Sequence, residues 1–206
     1  MIRLMCRDGL KSVTMERVAK EVGIAKGTVY LHYHDKQELL EAVKESALSP
    51  LTDKVDEALR IDAGPDRKLQ AFSLRYLSYF DERRELFRIL LYEREVTRVW
   101  GKRYQTGRYR HMVDRVSRVI LEGVAARLFR NVDTNDAHTI AAMFVEANIA
   151  VVNQRLLAER PPAVDDDARL VTDLFLRGLG SDGVAAKART RRLPRAAATH
   201  RRRSMQ

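Results

Sequence analysis

The sequence predicts an all-α protein with a small three-helix head in front of a larger helical body. Apolar residues recur at three- and four-residue spacing, no run alternates apolar and polar residues as a strand would, and the separators between periodic segments are brief. With 206 residues and 45% hydrophobic content, the chain is long enough to bury a sizeable core.

Taken in order, Thr14 reads as the N-cap of a helix whose apolar stripe is Met15, Val18, Ala19 and Val22. Gly23 supplies a turn, and a second short helix runs from Ala25 to about Tyr33. Asp35 followed by Glu38 is a capping-box pattern with aspartate in the place of Ser or Thr. It opens a longer helix carrying Leu39, Leu40, Val43, Ala47 and Leu48, and Pro50 leaves open whether that helix continues to Leu59. The clearest break is Ile61 to Asp66, with Gly64 and Pro65. Further helices are expected at about 66–80, 83–99, 103–130, 134–158 and 164–179, separated by short turns. The organisation expected is a head over residues 1–48, a helical body over 49–182 and a flexible basic tail over 183–206.

The formal net charge of +10 suggests a polyanionic partner, but its distribution is uneven. From Gly183 onward there are eight Lys or Arg residues and no acid, which leaves only +2 for residues 1–182. Net charge is therefore weak support for specific recognition, and the tail suits non-specific phosphate contact. Cys6 is the only cysteine, which excludes an intramolecular disulfide and reads as a buried thiol. No run approaches eighteen uninterrupted apolar residues and no signal-peptide pattern opens the chain, so a cytoplasmic location is expected.

The two short helices after Thr14 suit a helix-turn-helix, in which the first helix braces a second that enters the DNA major groove. Val29 and Tyr33, four apart, bury against the first stripe, so the expected head core is Val18, Val22, Val29 and Tyr33. Lys26, Gly27 and Thr28 stand at the start of the second helix as candidate base contacts. Lysine donates to guanine, threonine meets a base or a thymine methyl, and glycine permits close approach. Thr14, Tyr30, His32 and Lys36 are placed to hold the sugar-phosphate backbone, Thr14 also as a helix cap.

The segment VAKEVGIAKGTVYLHYHDKQELL resembles the DNA-binding segment of the TetR family of bacterial transcriptional regulators. The resemblance implies a homodimer whose two heads bind a palindromic operator, and an effector pocket in each helical body. It also implies the same division of labour between Lys26, Gly27 and Thr28 on the bases and Thr14, Tyr30, His32 and Lys36 on phosphates. Three features depart from the family pattern. Ala25 stands where a Ser or Thr cap is common, and Glu16 stands where some relatives extend a base-reading side chain. The opening helix, MIRLMCRD before Gly9, is about two turns where the family's is longer, so either residues precede it or the brace is slight.

In the body, Ala141, Ala150, Val171, Leu174 and Phe175 on the last two helices are candidates for a four-helix dimer interface, with protomer core as the alternative. Phe72, Tyr76, Phe87, Tyr92, Trp100, Tyr104, Tyr109, Phe144 and Asn148 are candidate lining for a pocket taking a small, mostly apolar or aromatic effector. Simple packing is the alternative for each of them.

An enzyme is disfavoured. His32 and His34 are two apart, His111, His138 and His200 lack metal-ligand spacing, and no HExxH, CxxC, phosphate-loop or nucleophile-elbow pattern occurs. No metal or cofactor is expected. The expectation is a ligand-responsive transcriptional regulator, most simply a repressor released from its operator by the effector. The alternatives are a general or architectural nucleic-acid binder dependent on the basic tail, and a ligand-binding helical dimer without specific DNA recognition.

Overall fold

A computed structural model describes residues 1–92 and 107–180, with the side chains of residues 91 and 92 excepted. The described residues are helical throughout apart from one isolated bridge between Phe129 and Gly180. The helices are α1 (Ile2–Asp8), α2 (Met15–Val22), α3 (Lys26–His32), α4 (Lys36–Leu59), α5 (Pro65–Asp81), α6 (Arg84–Tyr92), α7 (Gly107–Ala125), α8 (Thr134–Leu157) and α9 (Val164–Leu179). A single 3-10 turn, Leu10–Ser12, links α1 to α2.

In the head, Leu4, Met5, Leu10 and Val13 are buried and seat α1 and the 3-10 turn. Cys6 is exposed, contrary to expectation, because Leu4 and Met5 occupy the inward side of so short a helix. Arg17 fastens α1 to α2, donating to the Asp8 carboxylate at 2.5 Å and to the Ser12 carbonyl at 2.8 Å. Thr14 caps α2 as its sequence position predicts, its hydroxyl oxygen accepting from the Arg17 amide at 3.2 Å. Gly23 ends α2 at φ 76°, in the left-handed region that glycine enters without a Cβ penalty.

Asp35 caps α4, accepting from the Glu38 amide at 2.8 Å. Glu38 returns one residue further than a standard capping box, accepting from the His34 amide at 2.6 Å and closing the turn between α3 and α4. Helix α4 does continue through Pro50 to Leu59. Pro50 faces solvent, while Ala47, Leu51, Val55 and Leu59 form a buried stripe. The Tyr79 hydroxyl of α5 donates to the Ala47 carbonyl, in the turn where the proline removes an amide donor. Burial pushes the Tyr79 phenol up, which keeps it a donor.

Helix α5 is the centre of the body and packs against α4, α7, α8 and α9. Helix α7 ends at Ala125, short of the expected 130. There the chain turns through Arg127 at φ 59° and lays the Phe129 ring over Gly123, where a Cβ would come within 2.1 Å of it. Among the described residues, α8 alone is long and apolar enough to cross a membrane by length and composition. Its buried side, from Ala137 to Leu156, instead packs in the protein core and carries the polar Asn148 and Arg155.

Two polar clusters fix the helices. Asp56 on α4 is buried and meets His111 Nε2 at 3.0 Å and Arg115 Nε at 3.3 Å on α7, with Arg60 at 3.1 Å beside it. Arg155 on α8, also buried, reaches Asp81 on α5 at 2.8 Å, Asp167 on α9 at 2.5 Å and the Pro162 carbonyl at 2.9 Å. Burial opposes its charge, but the hydrogen bonds to Asp81 and Asp167 outweigh that and hold the guanidinium above its ordinary value. Arg155→Ala removes the buried cation from the half-buried Asp81 and Asp167 carboxylates and is expected to cost about 2 kcal/mol, read as a lowered denaturant midpoint with an unchanged slope. A loss under about 0.5 kcal/mol would show that the cluster is solvated in practice.

Candidate nucleic-acid interface

Helix α3 is a weak helix held in place by its neighbours. It has seven residues, its N-cap Ala25 offers no side-chain hydrogen bond, and Gly27 lies in its first turn. Val29 is buried and Tyr33 is half-buried against the core, so this side is turned inward toward α2. Three lines of side chains remain outward. Lys26 and Tyr30 share one, with the ammonium 5.5 Å from the ring centroid; Gly27 and Leu31 share the next, opposite Val29 and Tyr33; Thr28 and His32 share the third.

The residues predicted to touch bases therefore lie together. Lys26 and Gly27 are exposed and Thr28 is half-buried. Lys26 is already engaged, forming an ion pair with the exposed Glu16 carboxylate of α2. The hydrogen bond from Lys26 holds the Glu16 carboxyl below the usual carboxylate range, and the same bond raises the lysine. Of the residues predicted to touch phosphates, Thr14, Tyr30 and His32 are exposed beside this surface. Lys36 is half-buried and donates to the Leu10 carbonyl at 2.8 Å, so its ammonium is drawn toward the brace.

Of the expected head core, Val18 and Val29 are buried and Tyr33 is half-buried, but Val22 is 59% exposed. The stripe of α2 continues geometrically to Val22, yet the helix stops at Gly23 and, among the described residues, no element covers its last turn. Leu31 is not among the residues that the sequence singles out. It is 82% exposed at the middle of the outward face, and its four-residue spacing from Gly27 was the available signal.

In the body, Phe72, Tyr76, Phe87 and Phe144 are buried in a continuous aromatic core that also takes in Tyr79, Phe80 and Phe175. Their rings contact one another, as packing residues do. Tyr109 is half-buried. Asn148 is fully buried, its amide donating to the Phe144 carbonyl at 2.9 Å while its carbonyl oxygen has no hydrogen-bond partner. The Tyr92 side chain, Trp100 and Tyr104 lie outside the described residues. Ala141 and Val171, expected at a dimer face, are instead buried inside the protomer, and Phe175 is half-buried edge-on to Phe144. Ala150 and Leu174 face outward, in line with the exposed Met143 and Leu157 on α8 and Leu170 on α9. Each helix has two apolar sides, and α5 and α7 cover the one bearing Ala141 and Val171.

Residues 2–43, which include this whole surface, match the family of bacterial regulatory proteins, tetR family. The head therefore carries the DNA-binding segment of the TetR family. The chain is 51% identical over 39 residues to an HTH-type transcriptional regulator of Haemophilus influenzae, covering 19% of the chain and 21% of the relative. It is 32% identical over 78 residues to another from Staphylococcus aureus, covering 38% and 42%. The matches thus span less than half the length of these two relatives. The HTH-type regulator YfiR of Bacillus subtilis is 28% identical over 76% of the chain and 77% of its own length. Solved structures share the fold at low identity. The TetR-family regulator PfmR of Thermus thermophilus matches with TM-score 0.60 and 21% identity, over 88% of this chain and 96% of that one. A SmeT–triclosan complex gives 0.62 and 19%, over 88% of each chain. The fatty acid degradation regulator FadR of Bacillus halodurans gives 0.65 and 17%, over 86% and 91%.

Glu16→Gln releases Lys26 and removes a negative charge from the surface. Affinity for unselected duplex DNA is expected to rise about fivefold at low salt, with the gain shrinking as salt is added. Fluorescence anisotropy titrations at two salt concentrations measure it. A loss confined to one preferred sequence would instead assign Glu16 to cytosine N4.

Proposed function

We propose that the chain is a cytoplasmic, ligand-responsive transcriptional regulator. It acts as a repressor that binds a palindromic operator as a homodimer and is released by a small organic effector. The carrying observation is α3 itself. Its inward side is spent on Val29 and Tyr33, and its outward side offers Lys26, Gly27 and Thr28 between side chains suited to phosphate. Lys26, Gly27 and Thr28 read bases in this scheme, and Thr14, Tyr30 and His32 position the head. Lys36, whose ammonium bonds the Leu10 carbonyl, would have to turn from the brace to serve phosphate.

One head covers too little DNA for strong sequence choice, so a two-fold pair is physically useful. The outward stripes of α8 (Met143, Ala150 and Leu157) and α9 (Leu170 and Leu174) support such a pairing. An effector must bind the two head spacings unequally to have any effect. One feature supports an apolar one held by few polar contacts: the Asn148 carbonyl oxygen, buried beside the aromatic core without a partner. The fold neighbours whose names mention triclosan and fatty acid degradation agree with that class. Two links would carry the signal to the head: the continuous α4, and the contact of α6 with α1.

Selection of genomic fragments by the purified full-length chain at moderate salt is expected to enrich one two-fold-related sequence, and Lys26→Ala to change which sequence is enriched. Enrichment of no such sequence, or equal binding everywhere lost on deletion of the basic tail, would favour a general binder. Leu170→Glu with Leu174→Glu is expected to give a monomer by light scattering at micromolar concentration and to reduce operator affinity more than about a hundredfold. An intact dimer in that variant would place the interface elsewhere.

A further inference from the structure

We propose that Leu31 is a specificity-determining residue that packs against the C5-methyl group of a thymine in the major groove. This rests on the DNA-reading role of α3 proposed above. Leu31 is 82% exposed, the most exposed of the large apolar side chains among the described residues. It lies at the middle of the outward face, one turn beyond Gly27 and directly opposite the inward Val29 and Tyr33.

Gly27 supplies a second, independent observation. Glycine weakens a helix, and α3 is already short and uncapped. Yet nothing in the fold requires glycine there. Its φ is outside the left-handed region, and a Cβ added at that position meets nothing within 4 Å. The missing side chain therefore serves a surface outside the chain. A notch at Gly27 lets the α3 backbone approach base edges closely, and the next side chain on the same line, Leu31, is then carried down to the groove floor. Lys26 and Tyr30 lie on one side of that line and His32 on the other, a rim of cationic and hydrogen-bonding groups that suits a polyanion better than an apolar protein surface. The methyl of thymine is the apolar feature that the major groove presents, so it is the group a leucine would select.

The test uses the full-length chain and the operator it selects. Each thymine of a half-site is replaced in turn by deoxyuridine, which keeps the O4 acceptor and deletes only the methyl. Wild-type affinity is expected to fall about fourfold at one thymine per half-site, and about fifteenfold when both half-sites are changed, from the burial of one methyl each. Leu31→Ala is expected to bind the unmodified operator correspondingly more weakly, to show no further loss with deoxyuridine at that position, and to keep the wild-type salt dependence. The proposal is overturned if no deoxyuridine weakens the wild type, if the half-sites contain no thymine, or if Leu31→Ala loses as much as the wild type at every thymine. Should Leu31→Ala not fold, Leu31→Gln takes its place in the same series, and a loss equal to that of the wild type at every thymine overturns the proposal. Selection of no two-fold sequence would refute the DNA-reading role beneath the proposal, whereas a selected operator indifferent to thymine methyls would refute the proposal alone.

Discussion

Helix α4 serves two cores with one rigid rod, and the arrangement of the molecule follows from that. Its first turns lie beside the head, where Lys36 reaches the Leu10 carbonyl, and carry the buried Leu39 and Leu40. Its later turns bury Leu51, Val55 and Leu59 against the body, and Asp56 holds His111 and Arg115 of α7. A helix is stiff along its axis, so a displacement of the Asp56 end relative to α5 or α7 must appear at the Lys36 end. Pro50 lies between these regions and deprives the helix of one amide, and the Tyr79 hydroxyl engages the carbonyl of Ala47 in the same turn. The buried stripe on the opposite side of the helix outweighs the proline, and the rod stays continuous.

The recognition surface is built on the other extreme, a helix that would not persist alone. Seven residues, no side-chain cap and an early glycine leave α3 dependent on Val29 and Tyr33. The brace behind it is correspondingly well tied, through the Thr14 cap and through Arg17, which bridges α2 to Asp8 and Ser12. Glu16 adds an electrostatic layer. It pairs with Lys26 at the surface, so any anion that takes up the lysine must compete with a carboxylate.

The body uses buried polar groups sparingly and at helix junctions. Arg155 gathers α5, α8 and α9, and Asp56 gathers α4 and α7. Around α5 the rings of Phe72, Tyr76, Phe80 and Phe144 stack or tilt against one another, with Asn148 and the Thr172–Ser73 pair as buried polar groups.

Local chemistry was legible in the sequence wherever the effect spans a few residues. Thr14 and Asp35 cap the helices they precede, Gly23 makes its turn, and the helix-turn-helix pattern from Val18 to Leu40 was enough to place the family of the head. These depend on hydrogen bonds and dihedral preferences within about one turn, which the residues themselves dictate. Which apolar side of a helix is covered was not legible, because that depends on where other helices stop. Val22 continues the stripe of α2 but lies beyond its cover, Ala141 and Val171 face α5 and α7, and Leu174 is left outside. The pairings of Lys26 with Glu16 and of Lys36 with Leu10 join residues ten and twenty-six positions apart, so only the packed tertiary structure brings those groups within reach.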